Sequence, residues 1–310
     1  MTLTLLNRLA ACVVTLATLG AAGAVGPVST ASASVAVTAA PADIVTAPTL
    51  VASTPEGDIG YREVGTGSPL LLIMGFSGSM DNWAPSFVDA LAARHTVIVF
   101  DNAGIGDTAA LPSPLSISAM AEQTSALIDA LHLRATAVLG WSMGGMIAQA
   151  LAVLHPRQVS QLVLAATQAG TGASLPIPPA AAAALASSNL ATVLSVLFPA
   201  DQTAAAQAYL AGILQYRGYY AASATIKNEQ TGAIQQWMSG QDPAGRQLHR
   251  IEARTLVADG TLDQLNPVAN DWLLARGISG AHLLLYPDAG HAFLFQDAAQ
   301  YVPSVDRFAR

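Results

Sequence analysis

Cysteine occurs once in this chain, as Cys12. It lies in an N-terminal stretch expected to be removed, so the mature protein is expected to have no disulfide or thiol chemistry and to be held together by its core alone. Charge is also scarce: Asp, Glu, Lys and Arg make up 11% of the 310 residues, against roughly 25% in an average protein. No basic cluster is present and the net charge is −7, which argues against a nucleic-acid partner and reads as solubility rather than a recognition surface. There is no H-E-x-x-H and no clustered His/Cys spacing, so neither a metal nor a cofactor is expected. The hydrophobic fraction of 52% is inflated by alanine and does not by itself demand a membrane protein. A chain of this length makes one large domain or two small ones, with ample core.

The first 33 residues read as a secretory signal peptide. A single Arg8 precedes an apolar stretch at 9–26 rich in Ala, Val and Leu, and Ala31-Ser32-Ala33 fits the A-x-A cleavage pattern, with Ala22-Gly23-Ala24 a second candidate. The alternative is an uncleaved anchor, since about 18 apolar residues just span a bilayer. Leu9-Ala10-Ala11-Cys12 resembles a lipoprotein acceptor site but precedes the hydrophobic stretch instead of following it. No Arg-Arg pair stands near the start, which argues against twin-arginine export. The expectation is a secreted or envelope-associated protein with no stable membrane insertion after cleavage. Residues 34–50, built from Ala, Val, Thr, Pro and Ser, read as a linker without packing pattern.

From Asp58 the pattern changes. Residues 58–64 alternate as a strand, 65–69 make a Gly/Pro turn, and 70–74 are a wholly apolar run typical of a buried parallel strand. Helical spacing follows at 79–94, a buried strand at 96–100, a helix at 116–133, a strand at 135–139, a helix at 143–154 and a strand at 159–165. This alternation predicts an α/β fold with a doubly wound, mostly parallel sheet. It stops at 168–250, where alanine-rich helical segments at 180–197, 201–216 and 219–239 predict an inserted helical cap. Strands at 255–258 and 282–286 and helices near 267–276 and 293–308 resume the pattern. The core is thus expected to comprise 51–167 and 251–310.

The most specific motif is Gly140-Trp141-Ser142-Met143-Gly144, followed by Gly145. A short buried strand that turns sharply into a helix leaves a serine exposed at the tip, and the glycines remove Cβ atoms that would collide in so tight a turn. The N-terminus of the following helix points N–H groups to where an anionic intermediate would form.

A serine hydroxyl needs a base, and the base an orienting carboxylate. Of six histidines, His291 lies in Asp288-Ala289-Gly290-His291, after the last strand and at the edge where strand C-termini gather a site. His95, His132, His155, His249 and His282 open strands, close helices or lie near the cap's end, where structural or surface roles suffice. Asp263 follows the strand at 255–258 and is the candidate acid. Asp259 is its rival, though a residue at the strand end more often makes turn hydrogen bonds; Asp288 shares one short loop with His291. The order Ser, Asp, His is that expected for a nucleophile elbow on this kind of sheet. For the oxyanion hole, Met143 supplies one backbone N–H and the loop 75–78 the other, with Phe76 chosen and Ser77 and Gly78 as alternatives. Trp141 is either a pocket wall or core.

Met74-Gly75-Phe76-Ser77-Gly78-Ser79, Phe100-Asp101-Asn102-Ala103-Gly104-Ile105-Gly106, the elbow 140–145, Gly260-Thr261-Leu262-Asp263 with Pro267, and Gly290-His291 together cover about residues 55–310. In these the chain resembles the α/β-hydrolase fold family, in the cap-bearing branch of esterases, lactonases and cofactor-free haloperoxidases. The resemblance implies Ser142 as nucleophile, Asp263 as acid, His291 as base, and Phe76 and Met143 as oxyanion donors. Two departures stand out: Met74 where many relatives have His-Gly, and Ala103 where many have Arg. Neither supplies nucleophile or base, so altered packing and pocket lining are expected. The serine sets the chain apart from the epoxide hydrolase and haloalkane dehalogenase branches, which use an aspartate nucleophile.

The leading expectation is hydrolysis of a carboxylic ester through an acyl-enzyme, with lactone, thioester, amide, carbon–carbon or perhydrolytic chemistry on the same triad as alternatives. A non-catalytic binding module on the same fold is the reading from another class; it has no use for an activated nucleophile. Few fixed charges in the cap (Lys227, Glu229, Arg217) favour a small, uncharged or apolar acyl substrate.

Overall fold

A computed structural model describes residues 43–218 and 220–309. The stretch expected to be a signal peptide, with Cys12, and the part of the expected linker before Asp43 lie outside the described residues. Eight strands form one sheet in the order β1-β2-β4-β3-β5-β6-β7-β8. They are β1 (Leu50–Thr54), β2 (Gly57–Val64), β3 (Ser68–Ile73), β4 (His95–Phe100), β5 (Thr136–Trp141), β6 (Val159–Ala165), β7 (Arg254–Gly260) and β8 (His282–Tyr286). The pairs β1·β2 and β2·β4 are antiparallel, and every other pair is parallel.

The apolar runs bury both faces of the sheet. In β3, Leu70 and Leu72 join one core and Leu71 and Ile73 the other, because successive side chains point to opposite faces. The first core is closed by α1 (Pro85–Ala92), through Phe87 and Leu91, and by α10 (Ala298–Phe308), through Tyr301 and Val305. The second is closed by α2 (Ile117–Ala130), α3 (Met143–Leu154) and α8 (Ala269–Gly277). Between β6 and β7 the chain is helical: α4 (Pro179–Leu185), α5 (Leu190–Leu197), α6 (Thr203–Ile213) and α7 (Ala224–Met238). The short α9 (Phe293–Gln296) follows the last strand.

Local chemistry breaks several segments that sequence spacing reads as continuous. The helix expected at 79–94 is a 3-10 turn at Met80–Asn82 and then α1, since Pro85 has no N–H and pushes Ala84 to extended geometry. The first cap helix is two, restarted where the Asn189 side chain caps α5. The terminal helix is interrupted at Asp297. The linker assignment for 34–50 also needs correction in its described part. Ile44 is fully buried, its N–H donates to Asp89 Oδ1 at 2.9 Å, and Leu50 begins β1. Ile44 and its partly buried neighbour Val45 stand in a Thr/Pro/Ala background without periodicity, so their burial is not readable locally.

Among the described residues no helix is long and apolar enough to cross a membrane.

Candidate active site

Strand β5 runs to Trp141 and α3 begins at Met143, so Ser142 alone makes the turn, at φ 57° and ψ −122°. A non-glycine residue there stores roughly 1–3 kcal/mol of strain and persists only where its surroundings over-determine it. The surroundings do so: the Ser142 N–H donates to Ala165 O at 2.9 Å, and Thr167 Oγ1 donates to Ser142 O at 2.7 Å. A Cβ on Gly140 would overlap the Gly144 carbonyl, and one on Gly144 the Ile73 carbonyl, so both positions require glycine for close approach.

Asp263 and His291, 28 positions apart in sequence, are joined by a 2.6 Å bond between Asp263 Oδ2 and His291 Nδ1, with both side chains buried. Asp263 Oδ1 accepts the N–H groups of Leu265 and Asn266 at 2.6 and 2.9 Å, which fixes the carboxylate. Because Nδ1 serves the carboxylate, Nε2 is the imidazole nitrogen left for the nucleophile. The two loops are also tied by their backbones, Leu262 N–H donating to Ala289 O at 2.8 Å. The indole N–H of Trp141 donates to His291 O at 3.0 Å, making Trp141 a strut under the histidine loop as well as a cavity wall.

The rival acid is placed elsewhere. Asp259 Oδ1 accepts the Gly260 N–H at 2.7 Å and Oδ2 accepts from Asn266 Nδ2 at 2.8 Å. Asn266 Nδ2 also donates to Asp271 Oδ1 at 3.0 Å, so one amide bridges two buried carboxyls beside Asp263. Burial, then the charges of Asp263 and Asp271, push Asp259 well above the usual carboxylate range. Burial first, with Asp263 also raising it, pushes Asp271 up to about 8. Asp288 is exposed, and its N–H donates to Thr261 Oγ1 at 3.2 Å. Of the other histidines, His95 is buried between Ser68 Oγ (3.2 Å) and Asp306 (3.3 Å), and His155 pairs with Glu122 at 2.9 Å. None of the five lines the cavity that holds Ser142 and His291.

That cavity has a volume of about 320 Å³ and is bounded by Met74, Phe76 and Trp141 from the core and by cap residues including Leu194 and Leu214. A Cβ on Gly75 would lie 3.1 Å from Ser142 Cβ, which puts the loop after β3 directly against the serine. In this loop the Ser77 N–H donates to Gln230 Oε1 at 2.7 Å and the Gly78 N–H to Gly75 O at 3.4 Å. The N–H groups of Phe76 and Met143 donate to no described residue. The N–H groups of Ser77 and Gly78 thus already have acceptors. The departure Met74 does line the cavity, and Ala103 is buried in the second core.

Of the three cap charges, Glu229 is occupied by Ser113 Oγ (2.6 Å) and the Leu115 N–H (2.9 Å), Arg217 does not line the cavity, and Lys227 does. A second apolar cavity of about 500 Å³ shares Phe76 and Leu185 with the first. Among the described residues no group of three or more His, Cys, Asp and Glu side chains is arranged to hold a metal ion.

Sequence reasoning did not find Gln230, Asn266, Asp271 or Thr167. Gln230 and Thr167 act through side chains that meet a distant segment, while Asn266 and Asp271 meet within one tightly folded turn, and no sequence pattern marks either contact.

Comparison with known proteins gives a match over residues 68–298 to the family described as alpha/beta hydrolase fold. A poly(3-hydroxyalkanoate) depolymerase of Ectopseudomonas oleovorans is 30% identical over 78% of this chain and 84% of its own length. A protein of Azorhizobium caulinodans named for carbamate hydrolysis is 37% identical over 35% of this chain, and the match spans only 41% of that relative. Among solved structures, an alpha/beta hydrolase fold protein from Chitinophaga pinensis superposes with a TM-score of 0.72 at 25% identity, covering 85% of this chain and 98% of its own.

Proposed function

Since the chain belongs to the alpha/beta hydrolase fold family, we propose that it is a serine hydrolase that cleaves a carboxylic ester, or a related acyl bond, through an acyl-enzyme. The observation that carries this reading is the buried Asp263–His291 pair at 2.6 Å, opening on the same cavity as the strained Ser142. In this reading Ser142 Oγ attacks the acyl carbonyl while His291 takes its proton at Nε2, and Asp263 holds the imidazole and stabilises its charged form. The carbonyl oxygen becomes an oxyanion and accepts the N–H groups of Phe76 and Met143, each such donor being worth roughly 10²–10³ in kcat. The tetrahedral intermediate collapses, the C–O bond to the alcohol breaks, and His291 returns its proton to the leaving oxygen. Water, deprotonated by His291, then attacks the acyl-Ser142 ester and releases the acid and the free serine.

The apolar walls of both cavities support a small acyl substrate with a hydrocarbon body. The ester assignment draws support from the depolymerase relative, whose named substrate is a poly(3-hydroxyalkanoate). The secreted part of the reading rests on the stretch at 9–26 and the Ala31-Ser32-Ala33 pattern, and the N-terminus of protein recovered from culture medium tests it.

The deciding assay is turnover of a short-chain chromogenic ester by wild type and Ser142→Ala, with loss of turnover expected in the variant. Equal turnover in both would refute the mechanism. Labelling with a fluorophosphonate separates the enzyme from a binding module, whose unactivated serine would not react.

A further inference from the structure

On the reading of Ser142 as nucleophile and Phe76 as oxyanion donor, we infer that Gln230, a residue of the cap, is the positioning residue that sets the oxyanion loop. Its oxygen reaches 153 positions back to accept the Ser77 N–H at 2.7 Å. The assignment of that amide follows from chemistry: Ser77 N–H is a donor, so the Gln230 oxygen and not its nitrogen must face it. The nitrogen, Nε2, is buried with no hydrogen-bond partner. The amide is therefore held by its single acceptor bond to the loop.

The loop depends on that bond. Ser77 sits at φ 57°, in the left-handed region uncommon for a residue with a side chain. On the other side of Phe76, Asn102 Nδ2 donates to Met74 O at 2.8 Å. Phe76 thus lies between two pins, one from the core at Met74 and one from the cap at Ser77. Its own N–H donates to no described residue and stays unspent.

The cap helix that supplies the pin is firmly seated. Within α7, Glu229 takes the Ser113 hydroxyl and the Leu115 N–H, and Trp237 Nε1 donates to Gln168 O at 3.1 Å. Just after it, Asp242 accepts from Ser118 N–H and Oγ at 2.9 and 2.5 Å. A rigid element holding a backbone donor in place is what transition-state stabilisation requires, because misplacement by about 1 Å costs about 10²-fold. The cap accordingly does more than shape the substrate pocket: through Gln230 it completes the catalytic geometry.

The test compares wild type, Gln230→Met and Ser142→Ala. Methionine keeps the length and volume of the side chain but offers no strong acceptor. The expected result for Gln230→Met is a fall in kcat of about 10- to 100-fold with KM within about threefold. Affinity for a boronic acid, whose serine adduct carries the tetrahedral oxyanion, should fall in parallel, while affinity for the product acid holds. A folded Gln230→Met protein with wild-type kcat and boronate affinity, or with only KM raised, overturns the inference. Amide exchange on the wild type covers the case in which the variant does not fold. Ser77 should be protected in the free protein and Phe76 only in the boronate adduct; an unprotected Ser77 overturns the inference. Full turnover by Ser142→Ala would instead strike the serine mechanism while leaving the Ser77 exchange result intact, so the two failures are distinguishable.

Discussion

The indole of Trp141 donates its N–H to the backbone carbonyl of His291 at 3.0 Å, with the two rings 5.6 Å apart. The residue just before Ser142 therefore supports the loop that carries His291, across 150 positions of sequence. Trp141→Phe keeps an aromatic wall, though a smaller one, and removes this donor. An unmade buried hydrogen bond costs about 1–3 kcal/mol, so kcat should drop about tenfold with little change in KM. Steady-state kinetics with a neutral ester check it, and an unaltered kcat would show that the strut is idle.

Asp263→Asn should leave the fold intact, since its Oδ1 still accepts from Leu265 and Asn266. An amide opposite Nδ1 favours the wrong imidazole tautomer, and in triads of this kind the loss is of order 10⁴ in kcat. Thermal unfolding beside kinetics separates this effect from unfolding.

Gly144→Ala places a methyl group on the Ile73 carbonyl, which is backbone and has no route of retreat. Overpacking of this kind costs about 1–3 kcal/mol. The expected outcome is a lower urea midpoint together with loss of activity, because the strand carrying the oxyanion loop is the one displaced.

The carboxyls behind the acid predict a pH dependence of stability. Burial, chiefly, pushes Asp271 up to about 8 from an ordinary value of 3.8. Between those two values the native state holds a proton that the unfolded state has released. The contribution of this group is therefore most favourable near pH 4, declines as pH rises toward 8, and is flat above it. The limiting slope for one proton is about 1.4 kcal/mol per pH unit. Asp271→Asn removes the titration and keeps an oxygen for Asn266. Urea midpoints measured from pH 5 to 9 should fall less steeply in the variant than in wild type; parallel curves would show that Asp271 is already ionised.

Ile44→Ala should cost about 2–4 kcal/mol, as truncation in a close-packed core does. A change under about 0.5 kcal/mol by chemical denaturation would return residues 43–47 to the status of a linker.

The candidate nucleophile was legible because its signal is local. Gly140, Ser142 and Gly144 encode one sharp turn, and the flanking apolar run and helix spacing supply its context. His291 and Asp263 were legible through position, each in a loop just after a strand. Helix ends were less so: Pro85, Asn189 and Asp297 each break a run whose apolar spacing continues through them. Ile44 left no trace, since a short apolar pair becomes core only when a particular surface closes over it.

By itself the sequence determined the candidate residues and their order, because backbone turns, strand burial and helix starts are written in neighbouring residues. Only the tertiary structure decided how those residues are held. The Asp263–His291 bond, the Trp141 strut and the Gln230 pin are all side-chain contacts between segments far apart in the chain. Such contacts depend on distances and directions that arise when the sheet and cap close on each other, and short-range pattern carries no record of them.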